Sequence, residues 1–96
     1  MKRSLAEELV IRPERLDMIR TWQMIDDFPD IEKQVMHAFY NKFGERIVEG
    51  NVAVSEQLGI PTKDVVHIRQ RTLRRLRNPR RCRQLLFPKD AISWVW

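Results

Sequence analysis

The stretch that decides the fold spans residues 51–79 and reads NVAVSEQLGIPTKDVVHIRQRTLRRLRNP. Asn51 is placed to cap a short helix, which should end at the glycine- and proline-containing turn of residues 59–61. A second, longer helix is predicted from Thr62 to about Arg77, and the Asn-Pro pair at 78–79 should end it. A short helix, a tight turn and a longer basic helix are typical of a helix-turn-helix.

The longer helix has one apolar face. Its apolar positions, spaced i, i+3, i+7, i+8 and i+11, are Val65, Ile68, Thr72, Leu73 and Leu76. The opposite face carries Thr62, Lys63, His67 and Gln70. This pattern predicts one buried stripe and one exposed polar face. Ordinary αα-hairpins contain the same kind of turn, so the flanking residues must decide between the two.

Positive charge is concentrated in the same part of the chain. Residues 62–83 contain nine basic side chains and one acidic side chain, Asp64, for a net charge of +8. Residues 1–61 carry −3, and residues 84–96 are balanced. Nine cations beside one anion repel one another, which argues against a merely solvated helix face. The focused positive field favours a polyanion as partner, nucleic acid first and an acidic membrane surface or protein second.

The rest of the chain is also predicted to be helical. A short first helix, lined by apolar side chains in residues 5–10, should end before Pro13, where a second helix begins. A third helix should begin at Pro29 and stop at Gly44. Its apolar stripe consists of Val35, Met36, Phe39, Tyr40 and Phe43. The fold class is therefore predicted to be all-α, as a small helical bundle with one core.

Few residues suggest catalysis or metal binding. The histidines are His37 and His67, the single thiol is Cys82, and their spacing resembles no metal site. Cys82 lies among arginines, but no general base that could activate it is apparent in the sequence. The carboxylates between residues 26 and 32 are interpreted as helix-start chemistry rather than an acid–base pair. We therefore predict no enzyme, no metal and no cofactor.

The sequence also bears on location. No apolar run approaches the roughly 18–20 residues that span a bilayer, and the N-terminus leads into Glu7 and Glu8 rather than an apolar signal core. A membrane partner is therefore not expected. One cysteine suits a reducing interior, and we expect the protein in the cytoplasm, at the nucleoid.

Residues 57–79 resemble, without a gap, the promoter-binding region four of bacterial sigma factors. The matching positions are Gln57-x-Gly59-Ile60, Val65-x-x-Ile68 and Leu73-Arg74-Arg75-Leu76-Arg77-x-Pro79. Upstream, Phe28-Pro29-Asp30-Ile31-Glu32-Lys33-Gln34-Val35-Met36 is similar to the Leu-Pro-x-x-Glu-x-x-Val-Leu opening of that region. The resemblance covers about residues 28–84. It divides the chain into an N-terminal helical extension (1–27), a sigma-region-four-like domain (28–84) and an apolar C-terminal tail (85–96).

The resemblance implies which side chains would contact DNA. The base-reading positions of the family correspond to Thr62, Lys63, Val66 and His67, and helical geometry adds Gln70. The side chains expected on phosphates are Arg69, Arg71, Arg74, Arg75 and Arg77, among which Arg71 matches the family's phosphate-contacting position. Lys63 can donate to guanine, and Gln70 can pair with adenine. A simply solvent-exposed His67 is the alternative to a base contact.

The base-reading positions depart from the family. Sigma factors typically carry Arg-Glu near the start of the second helix and an Arg-Gln pair one turn later, where this chain has Thr62-Lys63 and Val66-His67. The usual serine or threonine cap is replaced by Pro61. The scaffold and the phosphate contacts are kept while the base-reading chemistry changes, so we expect a different target sequence or largely non-specific binding.

Taken together, these features predict a stand-alone, sigma-region-four-like protein that binds double-stranded DNA and regulates transcription. The resemblance also implies RNA polymerase as a partner, since region four docks on the flap of the β subunit. Two alternatives stay open: a polymerase-binding mimic of region four that reads no promoter, and a phage DNA-packaging subunit with a generic helix-turn-helix. The tail around Trp94 and Trp96 is expected either to fold back onto the N-terminal helix or to mediate self-association.

Overall fold

The structure is a computed structural model and describes residues 3–87. Over this range the chain forms one short 3-10 helix (Pro13–Arg15) and six α-helices: α1 (Leu5–Glu8), α2 (Met18–Asp26), α3 (Asp30–Phe39), α4 (Asn51–Leu58), α5 (Thr62–Arg77) and α6 (Pro79–Leu85). Helices account for 67% of the described residues, which include no strand. The prediction of an all-α fold is thus confirmed for this part of the chain.

Short polar side chains start three of the helices. Ser4 accepts a hydrogen bond from the third residue of α1, and the carboxylate of Asp17 accepts from two amides in the first turn of α2. Asn78 caps α6 in the same way, with Pro79 as the first helical residue. Each cap satisfies amides that have no partner within the helix. α5 instead follows Pro61, which makes no side-chain cap.

The predicted cap of α4 is wrong. Gly50 occupies the cap position in an extended conformation, and Asn51 is already the first helical residue. Its side-chain oxygen is buried and has no hydrogen-bond partner. A cap residue must lie outside the helix, where its side chain can turn back onto the first amides, and Asn51 lies one residue too late.

The third helix ends earlier than its apolar stripe predicts. α3 stops at Phe39, and the side chain of Asn41 accepts hydrogen bonds of 2.9 Å from the amides of Phe43 and Glu45. These bonds form a turn that competes with the helix. Gly44 closes the turn at a φ of +80°, a conformation that L side chains rarely adopt. The Phe43 side chain is consequently 66% exposed rather than part of the core.

Helix α1 ends in a Schellman motif with valine at the usual glycine position. Ile11 donates its amide to the carbonyl of Ala6 and Val10 to that of Glu7, at 2.9 and 3.1 Å. Val10 has a φ of +58°, which costs an L residue about 1–2 kcal/mol. The motif leaves the carbonyl of Glu8 without a helical partner at the end of α1, where a side chain from α5 reaches it (below).

One hydrophobic core joins both ends of the described chain. Helices α3, α4 and α5 pack against one another, and α6 packs on α5 and α2. The predicted stripe on α5 is confirmed, with Val65, Thr72, Leu73 and Leu76 buried and Ile68 half-buried. From the segment predicted as an extension, Leu5, Leu9, Leu16 and Ile25 join the same core. The N-terminal residues therefore support α5 instead of standing apart from it.

Helix α6 has no counterpart among the predicted helices. Its C-terminal end is tied to the 3-10 helix, because Asp17 donates its amide to the carbonyl of Leu85 and Phe87 donates to that of Arg15. These bonds measure 2.7 and 3.0 Å. The hypotheses about Trp94 and Trp96 lie outside the described residues.

Candidate nucleic-acid interface

The turn between α4 and α5 sets the start of α5. Gly59 ends α4 at a φ of +70°, and its amide and that of Ile60 both donate to the carbonyl of Ser55. The Ser55 hydroxyl donates in return to the carbonyl of Ile60. A residue with a Cβ would be strained at position 59, so glycine is what allows α5 to begin three residues later.

The first turns of α5 expose most of the predicted base-reading residues. Thr62, Lys63, His67 and Gln70 are exposed, and Val66 is half-buried. Lys63, His67, Gln70 and Arg74 are spaced i, i+4, i+7 and i+11 and therefore lie along one line of the helix, about 16 Å long. We call these four residues the exposed row. Among the described residues, neither of its two cations, Lys63 and Arg74, has an ion-pair partner.

A buried carboxylate holds two of the predicted phosphate-contacting arginines. Glu32 of α3 is fully buried, and its two oxygens accept from Arg71 Nε at 2.9 Å and Arg75 Nη1 at 2.7 Å. The two arginine side chains remain 55% and 39% exposed. Each guanidinium has five N–H donors, so both keep donors for an outside anion. Glu32, Arg71 and Arg75 together therefore carry a net charge of +1.

Two other arginines of α5 are bonded to the N-terminal segment. Arg69 donates to the Glu8 carboxylate at 2.8 Å and to the Tyr40 hydroxyl at 3.1 Å, and its side chain is only 15% exposed. Arg77 donates twice to the carbonyl of Glu8, at 3.0 and 2.7 Å. A cation at the C-terminal end of a helix also has a favourable interaction with the helix dipole. Both arginines thus fasten α1 to α5.

Tyr40 is part of the same contact. Burial raises the pKa of its phenol above the ordinary value, and the hydrogen bond from Arg69 offsets part of that rise. The hydroxyl is therefore protonated at neutral pH and can accept the Arg69 bond without carrying charge. The ring of the neighbouring Phe39 lies 4.8 Å from the Arg69 guanidinium carbon, which adds a cation–π contact.

The geometry therefore separates the five predicted phosphate contacts into three kinds. Arg74 is exposed and pairs with no acidic side chain among residues 3–87. Arg71 and Arg75 are paired internally yet accessible. Arg69 and Arg77 are bonded to α1.

The sequence does not predict that Glu8 and Glu32 bind the arginines of α5. It predicts Glu32 only as a favourable charge at a helix start, but the structure shows it as the internal partner of two arginines. A signal was present, because Glu32 precedes Val35 and Met36 by three and four residues and so shares their buried face. Glu8 carried no comparable signal, since its partners lie 61 and 69 residues away along the chain.

An apolar groove runs beside the exposed row. It has a volume of about 280 Å³, and it is lined by Ile31, Ile60, Asp64, His67, Ile68 and Arg71. The three isoleucines come from α3, the turn and α5, so the groove opens where these elements meet. His67 belongs both to the groove and to the exposed row.

The remaining candidate groups have other surroundings. His37 lies 3.3 Å from the Asp26 carboxylate and stacks on Trp22 at 4.4 Å between ring centroids, and so joins α3 to α2. Cys82 is a half-buried free thiol. Within residues 3–87 no three His, Cys, Asp or Glu side chains are grouped as metal ligands. None of the helices in that range is long and apolar enough to cross a bilayer.

No family model matches this chain, and neither a curated protein nor a solved structure is significantly similar to it.

Proposed function

We propose that this protein binds double-stranded DNA through the exposed row of α5 and regulates transcription. The observation that carries the proposal is the row itself: four polar side chains lie in line on a long helix that follows a tight turn, and the cation at each end has no ion-pair partner among residues 3–87. In this proposal α4, the turn and α5 act as a helix-turn-helix.

The dimensions and side-chain chemistry support this function. An α-helix fits the major groove of B-DNA, where the N-terminal residues of a recognition helix meet base edges. Lys63 would donate to guanine and Gln70 would pair with adenine, while Arg74, about one turn after Gln70, would meet a phosphate. The location of the row on a helix braced by α1 and α3 supports rigid presentation of these groups.

The charge distribution supports the same partner. Glu8 and Glu32 compensate part of the charge of α5, but Lys63, Arg74 and the arginines of α6 have no acidic partner within the described range. A surface of this sign attracts phosphates over several ångströms and speeds association with DNA.

Binding to duplex DNA is therefore expected to depend strongly on salt. If about four or five cations engage phosphates, a plot of log K against log salt concentration should have a slope of roughly −4. Arg74→Ala should weaken binding to all sequences about equally and make the slope shallower by about one unit. Fluorescence anisotropy on a labelled duplex at several salt concentrations measures both.

Lys42→Ala is the matched control. Lys42 is also exposed, but it lies in the loop after α3, where its carbonyl accepts a hydrogen bond from Trp22 of α2. The Lys42→Ala substitution should leave the slope of log K against log salt concentration unchanged. A wild-type slope near zero, or no duplex binding at low salt, would contradict the proposed function.

A second candidate function is the occupation of RNA polymerase without promoter recognition. The groove that is lined in part by Ile31, Ile60 and Ile68 favours this second function, because an apolar groove is suited to a protein segment rather than to DNA. Capture of purified RNA polymerase by the protein, together with an absence of salt-dependent duplex binding, would favour this function over the first. Duplex binding without polymerase capture would reject it.

A further inference from the structure

Helix α6 carries positive charge that the sigma-region-four resemblance assigns to no site. Arg80, Arg81 and Arg83 are exposed, and residues 78–87 contain no acidic side chain. Arg80 and Arg83 lie on the side of α6 opposite the buried Leu85, whereas Arg81 lies nearer the core side. Of these three arginines, Arg81 is therefore the one whose side chain can contact other parts of the protein.

Phe28 brings Arg81 close to α5. The guanidinium carbons of Arg75 and Arg81 lie 5.9 and 5.8 Å from the centroid of the Phe28 ring, so both arginines contact the same aromatic side chain. Arg75 is in turn held by the buried Glu32, which also holds Arg71. Glu32 and Phe28 thus link the guanidinium groups of Arg71, Arg75 and Arg81 from α5 to α6, and we call these three residues the arginine row.

The arginine row has more positive than negative charge. Glu32 pairs with Arg71 and Arg75 but not with Arg81, so the three arginines and this one carboxylate keep a net charge of +2. Glu32 and Phe28 fix the guanidinium groups in advance, which reduces the entropy lost when an anion binds. Arg71 uses only its Nε on Glu32, which leaves its terminal amino groups free to form a two-pronged contact with phosphate oxygens.

We propose that Arg71, Arg75 and Arg81 form a phosphate-contact surface for the backbone of duplex DNA, in which α6 contributes a contact from outside the recognition helix. The inference rests on the proposed function and assigns it a further residue, Arg81. Arg71 follows His67 by one turn, so the arginine row adjoins the exposed row. A duplex lying against the exposed row would therefore present the phosphates at the edge of its groove to the arginine row.

This surface differs from the one that the sequence predicts. Arg69 leaves the proposed set of phosphate contacts, because the Glu8 carboxylate pairs with it and its side chain is only 15% exposed. Arg77 donates to the neutral carbonyl of Glu8 and stays exposed, so it keeps its charge but is not part of the arginine row. Arg81 enters the set, because it contacts the same Phe28 ring as Arg75. The phosphate contacts thus extend beyond α5.

The test compares Arg81→Glu with Lys42→Glu. Both substitutions change the net charge by the same amount at an exposed position, so they separate a local contact from the effect of overall charge. Arg81→Glu is expected to weaken duplex binding about tenfold at moderate salt and to make the salt slope shallower by about one unit. Lys42→Glu should change the affinity by less than about threefold. Arg81→Gln, which adds no negative charge, should give a smaller loss and the same change of slope.

Thermal melts of each variant establish that the fold is retained, and Arg81→Gln keeps the test decisive if Arg81→Glu unfolds. If wild type binds with a steep salt dependence but the Arg81 variants match Lys42→Glu, the inference fails while the proposed function stands. If wild type itself does not bind duplex DNA in a salt-dependent way, both fail.

Discussion

Replacing Arg71 and Arg75 together by alanine is expected to lower the free energy of unfolding by about 3–5 kcal/mol. Glu32 would stay fully buried in α3 without a counter-charge, and a buried carboxylate that has lost its partners is among the most destabilising changes known. Small domains are typically stable by about 5–15 kcal/mol, so this loss is a large fraction of the total and should lower the unfolding temperature substantially. Urea unfolding followed by far-ultraviolet circular dichroism measures the loss.

A third substitution makes this prediction specific to the buried charge. Adding Glu32→Met to the double variant removes the stranded carboxylate and should recover most of the lost stability. Arg80→Ala with Arg83→Ala removes two exposed charges that make no ion pair within residues 3–87, so it should leave stability nearly unchanged. A loss below about 1 kcal/mol in the Arg71 and Arg75 variant would mean that the contacts to Glu32 behave like surface ion pairs.

Selection from a random duplex pool is expected not to enrich the usual promoter minus-35 element. Val66 cannot donate a side-chain hydrogen bond, and it is half-buried on α5. Lys63 has the opposite charge to the glutamate typical of sigma factors, and lysine donates where glutamate accepts. Each lost two-pronged contact removes about 1–3 kcal/mol of discrimination, so two such losses reduce the preference by roughly a hundredfold or more.

A variant that carries the residues typical of sigma region four provides the control. Thr62→Arg, Lys63→Glu, Val66→Arg and His67→Gln together change only the first turns of α5, which start at the exposed Thr62. This variant should gain a preference for the minus-35 element, because the scaffold beneath these positions is unchanged. Enrichment of that element by the wild-type protein would show that these four residues are not the base-reading positions.

Much of the fold could be predicted because its signals are local. The apolar positions of α5 repeat at the helical period, so the buried stripe from Val65 to Leu76 follows from the sequence. The turn at Gly59 follows from the need for a left-handed residue after α4. The end of α3 is different, because the apolar pattern predicts a helix as far as Phe43. Hydrogen bonds to the Asn41 side chain form a turn there instead.

The candidate site was less predictable because its key partners are distant in sequence. The exposure of Lys63, His67 and Gln70 follows from their position opposite the buried stripe. The roles of the arginines do not, because a run of arginines gives no information about which carboxylate will face each one. Glu32 is separated from its partners by 39 and 43 residues. Only the tertiary packing determines which arginines pair with an internal carboxylate and which remain available to bind a partner molecule.

The most direct measurement is a titration of the isotope-labelled protein with a short duplex at low salt, followed by amide and side-chain nuclear magnetic resonance. We expect the largest shifts along the exposed row, at Lys63, His67, Gln70 and Arg74, with the Gln70 side-chain amide among the most affected. Amides of α2, which carries none of the proposed DNA-contacting residues, should move little. Shifts confined to other helices, with those of α5 unchanged, would contradict DNA binding through this helix.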